Sequence, residues 1–515
     1  MSNEHVDVLI VGAGLSGIGA AYHLQTQSPT RSYAILEGRE QSGGTWDLFR
    51  YPGIRSDSDM YTLGYSFRPW TNDKAIADGA SILSYVRDTA REHGIDRKIR
   101  YSHRVKRAAW SSEDASWTVE VERGPERTLT RLTCNFLFLC SGYYNYDAGY
   151  TPDFPGRERF TGRIVHPQKW TPDIEYAGKR VIVIGSGATA VTLVPSLAKS
   201  AAHVTMLQRS PTYVVARPEQ DPIATKLRQH MSPAAAYGVT RWKNVLLGMF
   251  FYNLARQRPE VVKRLILKGV ETALGPDYDV ASHFTPRYNP WDQRMCLVPD
   301  GDLFETLRTG QASVVTDQIE TFTEKGILLR SGRELEADLI VTATGLDLTV
   351  LGNVQLSVDG VAVEPNAKLT YKGMMLSDVP NLAQAVGYTN ASWTLKCDLT
   401  SEYVCRLLNH MEATGLRQCT AHNDDSSVTP EPWINFTSGY VQRSLAKFPR
   451  QGNKAPWKLY QNYARDLMAL RFGNVDDGIM RFSNPSPAPA FPDTRRGKLL
   501  GTVKSWLNNA RAETP

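Results

Sequence analysis

Cysteine is scarce in this chain, and no two cysteines are spaced as a CxxC pair. The 515 residues contain only six, at Cys134, Cys140, Cys296, Cys397, Cys405 and Cys419. A disulfide scaffold needs a denser pattern, and a disulfide reductase needs a shorter spacing between two reactive thiols. We therefore expect reduced thiols in a cytosolic protein.

Long apolar runs and a secretory leader are also missing. No apolar run approaches the roughly 20 residues that span a bilayer. The first five residues lead directly into an apolar strand, without the basic segment, apolar stretch and cleavage site of a signal peptide. We expect a cytoplasmic protein.

Neither sign of charge dominates the composition. The chain has 59 basic and 53 acidic residues, and its formal charge is +6. This small excess of positive charge does not indicate nucleic-acid binding, and we expect no nucleic acid as a partner. Binding of anionic cofactors and contact with a membrane surface are both compatible with the excess. With 42% hydrophobic residues, the chain is long enough for two or three globular domains.

A first glycine-rich turn, Gly12-Ala-Gly14-Leu-Ser-Gly17, follows a predicted strand over residues 6–11 and opens a predicted helix. Gly12 permits the tight turn, Gly14 lets the backbone approach a pyrophosphate, and Gly17 lets the helix pack on the strand. Glu37 ends the next strand, where a carboxylate binds ribose hydroxyls and repels a 2′-phosphate. The pattern predicts a site for FAD or NAD; a purely structural turn is the alternative.

The loop from Gly43 to Asp57 follows this βαβ unit directly. Gly44 permits close backbone approach, Trp46 offers a flat apolar surface, and Asp57 carries a charge beside Arg55. We interpret the loop as a wall over a flavin ring. An irregular loop with a surface ion pair is the alternative.

A second glycine-rich turn, Gly185-Ser-Gly187-Ala-Thr-Ala190, repeats the pattern, with alanine in place of the third glycine. The following strand ends at Arg209, where the first unit has an acid. An arginine without a neighbouring carboxylate suits the 2′-phosphate of NADPH better than NADH. Arg209 as an ordinary surface residue is the alternative.

The order of predicted elements indicates an α/β protein with two dinucleotide-binding, Rossmann-like domains, the second inserted in the first, plus a helical insertion. The expected parts are a first FAD-binding segment (1–145), a nicotinamide domain (146–217 and 286–340), the helical insertion (218–285), a second FAD-binding segment (341–485) and a C-terminal extension (486–515).

Basic residues surround an apolar patch on the helical insertion. They are Arg241, Lys243, Arg256, Arg258, Lys263, Arg264 and Lys268. We prefer to interpret them as a solvated basic face. Peripheral contact with a membrane is the alternative.

The segment between the two turns carries the pattern FxGxxxHxxxW at Phe160, Gly162, His166 and Trp170. With the two turns, it resembles the class B flavoprotein monooxygenases, in particular the Baeyer–Villiger type, which favours tryptophan at 170. Thr171 departs from the usual proline or aspartate. Because this segment joins two domains, we interpret His166 as a packing and hinge residue rather than a general base.

The resemblance extends from the N-terminus to about residue 480. The loop 43–57 matches the family pattern GGxWxxxxYPGxxxD without exception. Residues 143–146, 288–294 and 386–394 make the chain most similar to the subgroup of the mycobacterial ethionamide-activating monooxygenase.

The resemblance implies FAD and NADPH as cofactors and no metal site. The implied FAD contacts are Ser16, Glu37, Thr45, Trp46, Asp47, Leu48, Asp57 and the backbone at Val105. The implied NADPH contacts are Arg55, Ser56, Asp57, Ile184, Gly185, Ser186, Gly187, Ala188, Thr189, Ala190, Arg209 and Ser210. Many relatives have lysine where this chain has Gln293, so NADP selectivity is expected to depend more on Arg209.

The activity implied is conversion of small hydrophobic ketones to esters or lactones with O2 and NADPH, through a C4a-peroxyflavin. Sulfide oxygenation is the expected second activity. Arg294 matches the active-site arginine of the family, and Asp57 is expected to orient it; a structural ion pair is the alternative role. Alternative functions are an N- or S-oxygenase with little ketone activity and a non-oxygenating flavin redox protein. The oligomeric state stays open.

Overall fold

Two central β-sheets organise residues 4–485, which is the part of the chain that the computed structural model describes. The expected C-terminal extension, 486–515, lies outside the described residues.

The N-terminal part contains six strands and four helices. The strands are β1 (Glu4–Val11), β2 (Tyr33–Leu36), β3 (Ile99–Arg100), β4 (His103–Ser111), β5 (Ser116–Arg123) and β6 (Thr128–Leu139). The helices are α1 (Leu15–Gln27), α2 (Thr45–Leu48), α3 (Met60–Leu63) and α4 (Gly79–Glu92).

The middle part contains ten strands and six helices. The strands are β7 (Arg163–Val165), β8 (Arg180–Ile184), β9 (His203–Gln208), β10 (Val214–Arg217), β11 (Cys296–Pro299), β12 (Ala312–Thr316), β13 (Ile319–Phe322), β14 (Gly326–Leu329), β15 (Glu334–Glu336) and β16 (Leu339–Thr342). The helices are α5 (Ala188–Leu197), α6 (Pro222–His230), α7 (Pro233–Gln257), α8 (Pro259–Leu274), α9 (Val280–Phe284) and α10 (Asp302–Arg308).

The C-terminal part, as far as residue 485, contains nine strands and three α-helices. The strands are β17 (Gln355–Val358), β18 (Val361–Ala362), β19 (Thr370–Tyr371), β20 (Met375–Leu376), β21 (Leu382–Gln384), β22 (Gln418–Ala421), β23 (Pro430–Pro432), β24 (Arg450–Gly452) and β25 (Met480–Ser483). The helices are α11 (Trp393–Thr414), α12 (Gly439–Ser444) and α13 (Tyr463–Leu467). Met468–Phe472 is a π-helical turn, and 3₁₀ turns occur at Asp96–Lys98, Arg157–Arg159, Pro167–Lys169, Leu351–Asn353, Pro365–Ala367 and Leu445–Lys447.

The first sheet has nine strands in the order β18-β17-β4-β5-β6-β1-β2-β3, with β21 also paired to β6. β1 lies parallel to both β2 and β6, so the carboxyl ends of these three strands meet at one edge. The chain leaves this sheet after β6 and returns to it through β17, β18 and β21. The second nucleotide-binding unit is therefore inserted in the first.

The second sheet is fully parallel, in the order β12-β9-β8-β16-β7. Its central strands β8 and β16 consist mostly of apolar residues that are buried on both faces, as parallel sheets covered by helices require. Its strand β16 continues to Thr342. The strand thus extends two residues beyond the predicted domain boundary at 340, and the division of the chain into domains stays a prediction.

The helical insertion lies between β10 and β11, and its three longer helices each begin with a proline. Asp221 caps the helix that starts at Pro222, and Ser232 caps the one that starts at Pro233. Proline suits this position because the first amide of a helix has no intrahelical acceptor. Among the described residues, no helix is long and apolar enough to cross a membrane.

Arg241 does not belong to a solvated basic face, contrary to the prediction. It is buried in α7, and its Nη1 donates to the carbonyl oxygens of Tyr61 and Gly64 at 2.8 Å. Its guanidinium therefore fastens the insertion to the first domain, because those carbonyl groups lie at the end of α3.

Candidate active site

The two glycine-rich turns line a single cleft. Its volume is about 1320 Å³, larger than the roughly 300–1,000 Å³ of a pocket for one small ligand. Residues of α1, of α5 and of the loop 43–57 share its walls. The cleft therefore suits two large ligands held side by side.

The first turn lies where β1 and β6 end together, since Val11 pairs with Leu139. Gly12 has φ +105°, and a Cβ there would come within 2.6 Å of the carbonyl oxygen of Cys140. Only glycine fits this position. Gly14 is the N-cap of α1 and supplies no capping side chain, so the first amides of the helix stay free for an anion.

The second turn repeats this arrangement in the second sheet, where Ile184 pairs with Thr342. Gly185 has φ +135°, and a Cβ there would come within 2.3 Å of the carbonyl oxygen of Ala343. Gly187 is the N-cap of α5, again without a capping side chain. Two equivalent anion sites therefore face the cleft.

Glu37 is buried at the end of β2 and lines the cleft. Its two carboxylate oxygens accept hydrogen bonds from the backbone N–H groups of Ala13 and Arg39, at 2.8 and 3.0 Å. Burial raises the pKa of Glu37, and these two bonds oppose the shift. Each carboxylate oxygen keeps a lone pair that can accept a hydrogen bond from a hydroxyl group of a ligand.

Arg209 follows β9 and lines the cleft close to the second turn. Its side chain is exposed, and within residues 4–485 it makes no ion pair. Ser186, in the turn, donates through Oγ to the carbonyl oxygen of Ser210 at 3.0 Å. The guanidinium is therefore available to an anionic group of a ligand.

Asp57 and Arg294 form an ion pair in the wall of the cleft, with Oδ2 and Nη2 2.9 Å apart. Asp57 is the last residue of the loop 43–57, and Arg294 comes two residues before β11. Both side chains are 32% exposed. The carboxylate raises the pKa of Arg294, so the guanidinium stays charged at every physiological pH.

An aromatic wall stands beside Arg294. Tyr143 stacks on Trp393 with ring centroids 4.9 Å apart, and its hydroxyl lies 3.2 Å from that of Tyr144. Trp393 donates through Nε1 to Ser16 Oγ at 3.0 Å, which joins the wall to the first turn. Burial raises the pKa of Tyr144 to about 12, so this phenol is protonated at neutral pH.

A second cavity, of about 50 Å³, adjoins the cleft and shares Arg294 with it. Most of its lining is apolar or aromatic, including Trp433, Phe436 and Tyr440. Its polar side contains Asp466, which accepts from Lys396 at 2.8 Å and from Tyr388 at 2.7 Å. An apolar group placed there would lie next to the Arg294 guanidinium.

Comparison with known proteins agrees with this geometry. The profile of the flavin-binding monooxygenase-like family matches residues 65–379, and an NAD(P)-binding Rossmann-like domain profile matches residues 10–72. The FAD-containing monooxygenase EthA of Mycobacterium tuberculosis is 56% identical over 487 residues, covering 94% of this chain and 99% of that protein. The chain belongs to the flavin-binding monooxygenase-like family.

Other relatives and solved structures agree. A probable FAD-binding monooxygenase, AlmA, of an Acinetobacter species is 50% identical over 499 residues, covering 96% of this chain and 99% of that protein. A steroid monooxygenase bound to NADP superposes with a TM-score of 0.76 at 22% identity, covering 93% of this chain and all of that one. A cyclohexanone monooxygenase superposes with a TM-score of 0.70 at 20% identity, with the same coverage. The predicted family and the predicted fold of two dinucleotide-binding domains are confirmed.

Most of the residues predicted to contact cofactors line the large cleft. They are Gly12, Gly14, Ser16, Glu37, Gly44, Thr45, Trp46, Leu48, Arg55, Ser56, Asp57, Val105, Ile184, Gly185, Ser186, Gly187, Ala188, Thr189, Arg209 and Ser210, together with Arg294. Their individual roles toward FAD and NADPH stay predictions.

Three of the predicted contact residues do not line the cleft. The backbone of Gly17 lies against Gly12, where a Cβ would come 1.9 Å from the carbonyl oxygen. Ala190 is buried in the core of the second domain. Asp47 is 1% exposed and paired with three arginines, Arg39, Arg50 and Arg87. These residues shape the turns and the loop rather than face a ligand.

Arg55 does not pair with the nearby Asp57. Its guanidinium bonds the carboxylate of Asp302, at the start of α10, with Nη2 to Oδ1 at 3.2 Å. The alternative of an ion pair within the loop is therefore not what the structure has, since Asp57 pairs with Arg294, the residue that it was expected to orient. Both pairs connect the loop 43–57 to residues that follow the helical insertion.

His166 lies outside the cleft, in the segment that joins the two sheets. Its Nε2 lies 3.1 Å from the carbonyl oxygen of Gly345, and its Nδ1 accepts from the backbone N–H of Gln168 at 3.2 Å. These partners require the tautomer that carries its proton on Nε2. Burial lowers the pKa of His166, which favours the neutral ring. Both ring nitrogens have hydrogen-bond partners, and His166 does not line the cleft.

The other residues of this motif are structural in the same segment. Phe160 is buried, and a Cβ on Gly162 would come within 2.6 Å of its ring. Trp170 packs edge-on against Tyr176. The motif residues therefore stabilise the segment that connects the two sheets. The hinge motion expected of this segment stays a prediction.

Sequence reasoning missed Asp302 and Tyr440. Asp302 holds Arg55, and Tyr440 lines both cavities beside Arg294. Neither lies in a recognisable motif, and both reach the site only through tertiary packing.

Proposed function

We propose that this protein is a Baeyer–Villiger monooxygenase that converts ketones to esters or lactones and oxygenates sulfides as a second activity. Its family makes it an FAD-containing, NADPH-dependent monooxygenase. The reaction consumes one NADPH, one proton and one O2, places one oxygen atom in the substrate and releases the other as water.

The residues of the cleft fit both cofactors. Free amides at the start of α1, with Glu37 for a ribose, suit the FAD pyrophosphate and adenosine. Free amides at the start of α5, with Arg209, suit NADPH and its 2′-phosphate. FAD, when bound and reduced by NADPH, would supply activated oxygen, and Trp46 and Asp57 line the cleft that would hold it.

The observation that carries the proposal is the Asp57–Arg294 pair in the wall of the large cleft, whose arginine also lines the smaller cavity. A guanidinium that keeps its charge at every physiological pH can donate hydrogen bonds to negative charge that develops on oxygen during attack on a carbonyl. Asp57, 2.9 Å away, limits the orientations of that guanidinium. Arg294 is the catalytic residue of the proposal, and Asp57 positions it.

The smaller cavity supports an apolar substrate. Its aromatic lining favours a hydrophobic group, and a carbonyl attached to that group would lie within reach of Arg294. Tyr143 and Tyr144 stay protonated at neutral pH, so no phenolate competes for the guanidinium. The chain thus supplies binding, orientation and a positive charge.

The deciding experiment is purification without added flavin, followed by NADPH oxidation with a matched ketone and sulfide. Ester formed in proportion to NADPH consumed supports the proposal. Sulfoxide with little ester indicates an N- or S-oxygenase. Hydrogen peroxide as the sole product with both substrates indicates a flavin redox protein that does not oxygenate, and it contradicts the proposal.

A further inference from the structure

Exposed apolar side chains are concentrated on the helical insertion. Of the fifteen large hydrophobic residues that are exposed within residues 4–485, ten lie between 218 and 285. They are Ile223, Met231, Val239, Trp242, Leu246, Leu247, Phe250, Phe251, Val261 and Leu265. A soluble surface rarely gathers so many, because each exposed group loses the free energy of burial.

Helix α7 carries six of these ten residues, and four of the six form a continuous stripe. Val239, Trp242, Leu246 and Phe250 follow one another at spacings of three or four residues, so they share one face. Leu246 is 56% exposed and Phe250 is 59% exposed. The opposite face is buried, because Val245 packs against Tyr388 and Leu395 of the first domain. The stripe therefore faces outward.

Helix α8 follows α7, packs against it and has an exposed apolar and basic side of its own. Val261 and Leu265 are 45% and 60% exposed, and Arg264 and Lys268 lie on the same side of this helix. Arg258 is exposed at the junction of the two helices. Exposed cations therefore accompany the exposed apolar residues of the two helices. We call the stripe of α7 together with this side of α8 the outer face.

The charge of this region is strongly one-sided. Residues 233–274 contain seven arginines and lysines and two acidic residues, Glu260 and Glu271. Three of the cations are engaged: Arg241 with backbone carbonyls, Lys243 with Asp221, and Arg256 with Asp292. Arg258, Lys263, Arg264 and Lys268 make no ion pair within the described part of the chain. Their positive charge is therefore available to a binding partner of negative charge.

We propose that the outer face docks on an anionic lipid bilayer. Trp242, Leu246 and Phe250 would enter the boundary between headgroups and acyl chains, and Arg264 and Lys268 would bind lipid phosphates. Helices that lie in the interface combine an apolar face with flanking arginine and lysine in this way. The docking does not depend on the reaction proposed for the cleft.

Charge complementarity favours a bilayer over a second copy of the chain. A twofold contact through the outer face would bring the same cations of both copies together, without acids to match them. The C-terminal segment 486–515 is also a poor partner, since Arg495, Arg496, Lys498, Lys504 and Arg511 outnumber Asp493 and Glu513. Phosphate groups provide the charge of opposite sign.

The experiment is cosedimentation of the full-length holoprotein with vesicles of phosphatidylcholine alone or with 30% phosphatidylglycerol. We expect binding to the anionic vesicles that weakens as salt is raised, and weak binding to the neutral ones. Trp242→Gln/Leu246→Gln/Phe250→Gln should weaken binding at least tenfold. Arg264→Gln/Lys268→Gln should weaken it about 30-fold, which corresponds to about 1 kcal/mol for each cation.

Matched controls lie in the first sheet, outside the insertion. Leu129 is 57% exposed and Val361 is 71% exposed, so Leu129→Gln/Val361→Gln removes exposed apolar side chains away from the insertion and should leave binding unchanged. Flavin content and thermal unfolding test the fold of each variant. If the apolar variant unfolds, the Arg264→Gln/Lys268→Gln variant and the salt dependence of binding still test the proposal.

Three outcomes would overturn the proposal. One is equal binding to anionic and neutral vesicles. Another is equal loss of binding in the control variant. The third is sedimentation of the protein as a dimer that the apolar variant dissociates, with no vesicle binding, which would make the outer face a contact between copies.

Discussion

Asp57 and Arg294 approach to 2.9 Å in the wall of the large cleft, and Arg294 also lines the smaller cavity. Asp57 ends the loop after the first nucleotide-binding turn, and Arg294 comes two residues before β11. Because Arg55 also reaches across, to Asp302, the loop is connected twice to the chain that follows the helical insertion. Movement of one domain relative to the other would therefore change the position of the Arg294 guanidinium relative to Asp57.

Arg294→Ala should lower the rate of ester formation about 100- to 1,000-fold, as loss of one donor to a developing oxyanion typically does. NADPH oxidation should continue with hydrogen peroxide as the product. Ester and peroxide are measured in the same reaction. Arg308→Ala, which removes an exposed arginine paired with Glu305, is the matched control and should leave both rates unchanged. Full ester formation by Arg294→Ala would exclude the role proposed for this residue.

Asp57→Asn should reduce ester formation about tenfold while the flavin stays bound, because the amide keeps the shape but not the charge that orients Arg294. The loss should appear in kcat rather than in the KM for the ketone. Asp57→Ala should reduce the rate further. A change confined to KM would show that Asp57 binds substrate instead of positioning the arginine.

Arg209→Gln should raise the KM for NADPH about 10- to 100-fold, the loss expected for one charge-assisted hydrogen bond. NADH has no 2′-phosphate, so its KM should stay constant and serves as the internal control. Steady-state kinetics with both cofactors provide the measurement. An equal effect on NADH would mean that Arg209 only supports the local structure.

His166→Ala should impair NADPH-dependent turnover and leave FAD bound, since its ring links Gln168 to Gly345 outside the cleft. His166→Gln, whose amide can still donate near the Nε2 position, should retain more activity. Flavin absorbance and turnover are measured on the same samples. Complete loss of flavin in both variants would indicate misfolding and not a hinge.

The pH dependence of stability should also report on His166. Burial lowers its pKa from 6.5, so the unfolded chain binds a proton more readily than the folded one. The contribution of the neutral ring is therefore full above pH 6.5 and is lost as the pH falls through the folded value. The melting temperature of the native protein should fall more between pH 7 and pH 5 than that of His166→Gln. Parallel profiles would contradict this.

Local pattern was sufficient to predict the two nucleotide-binding turns. Gly12 and Gly185 are each forced by a positive φ and by a carbonyl oxygen that leaves no room for a Cβ. Such constraints act within a few residues of the turn. They identify the two units, their order along the chain and the insertion of one in the other.

The pairing of side chains was harder to predict. Arg55 lies two residues from Asp57, yet each pairs with a residue that follows the helical insertion. Arg241 belongs to a basic stretch, yet it is buried because α7 packs against the end of α3. Proximity in sequence predicts neither pairing nor burial where the chain crosses between domains.

The amino-acid sequence alone determined the two dinucleotide-binding folds, because glycine turns and strand patterns are local in origin. Its resemblance to a known family indicated the family and Arg294 as the arginine next to the cleft. Tertiary structure alone decided which acid holds which arginine, where the two cavities meet and which face of α7 is left outward. These features depend on contacts between residues hundreds of positions apart, and no local preference specifies such contacts.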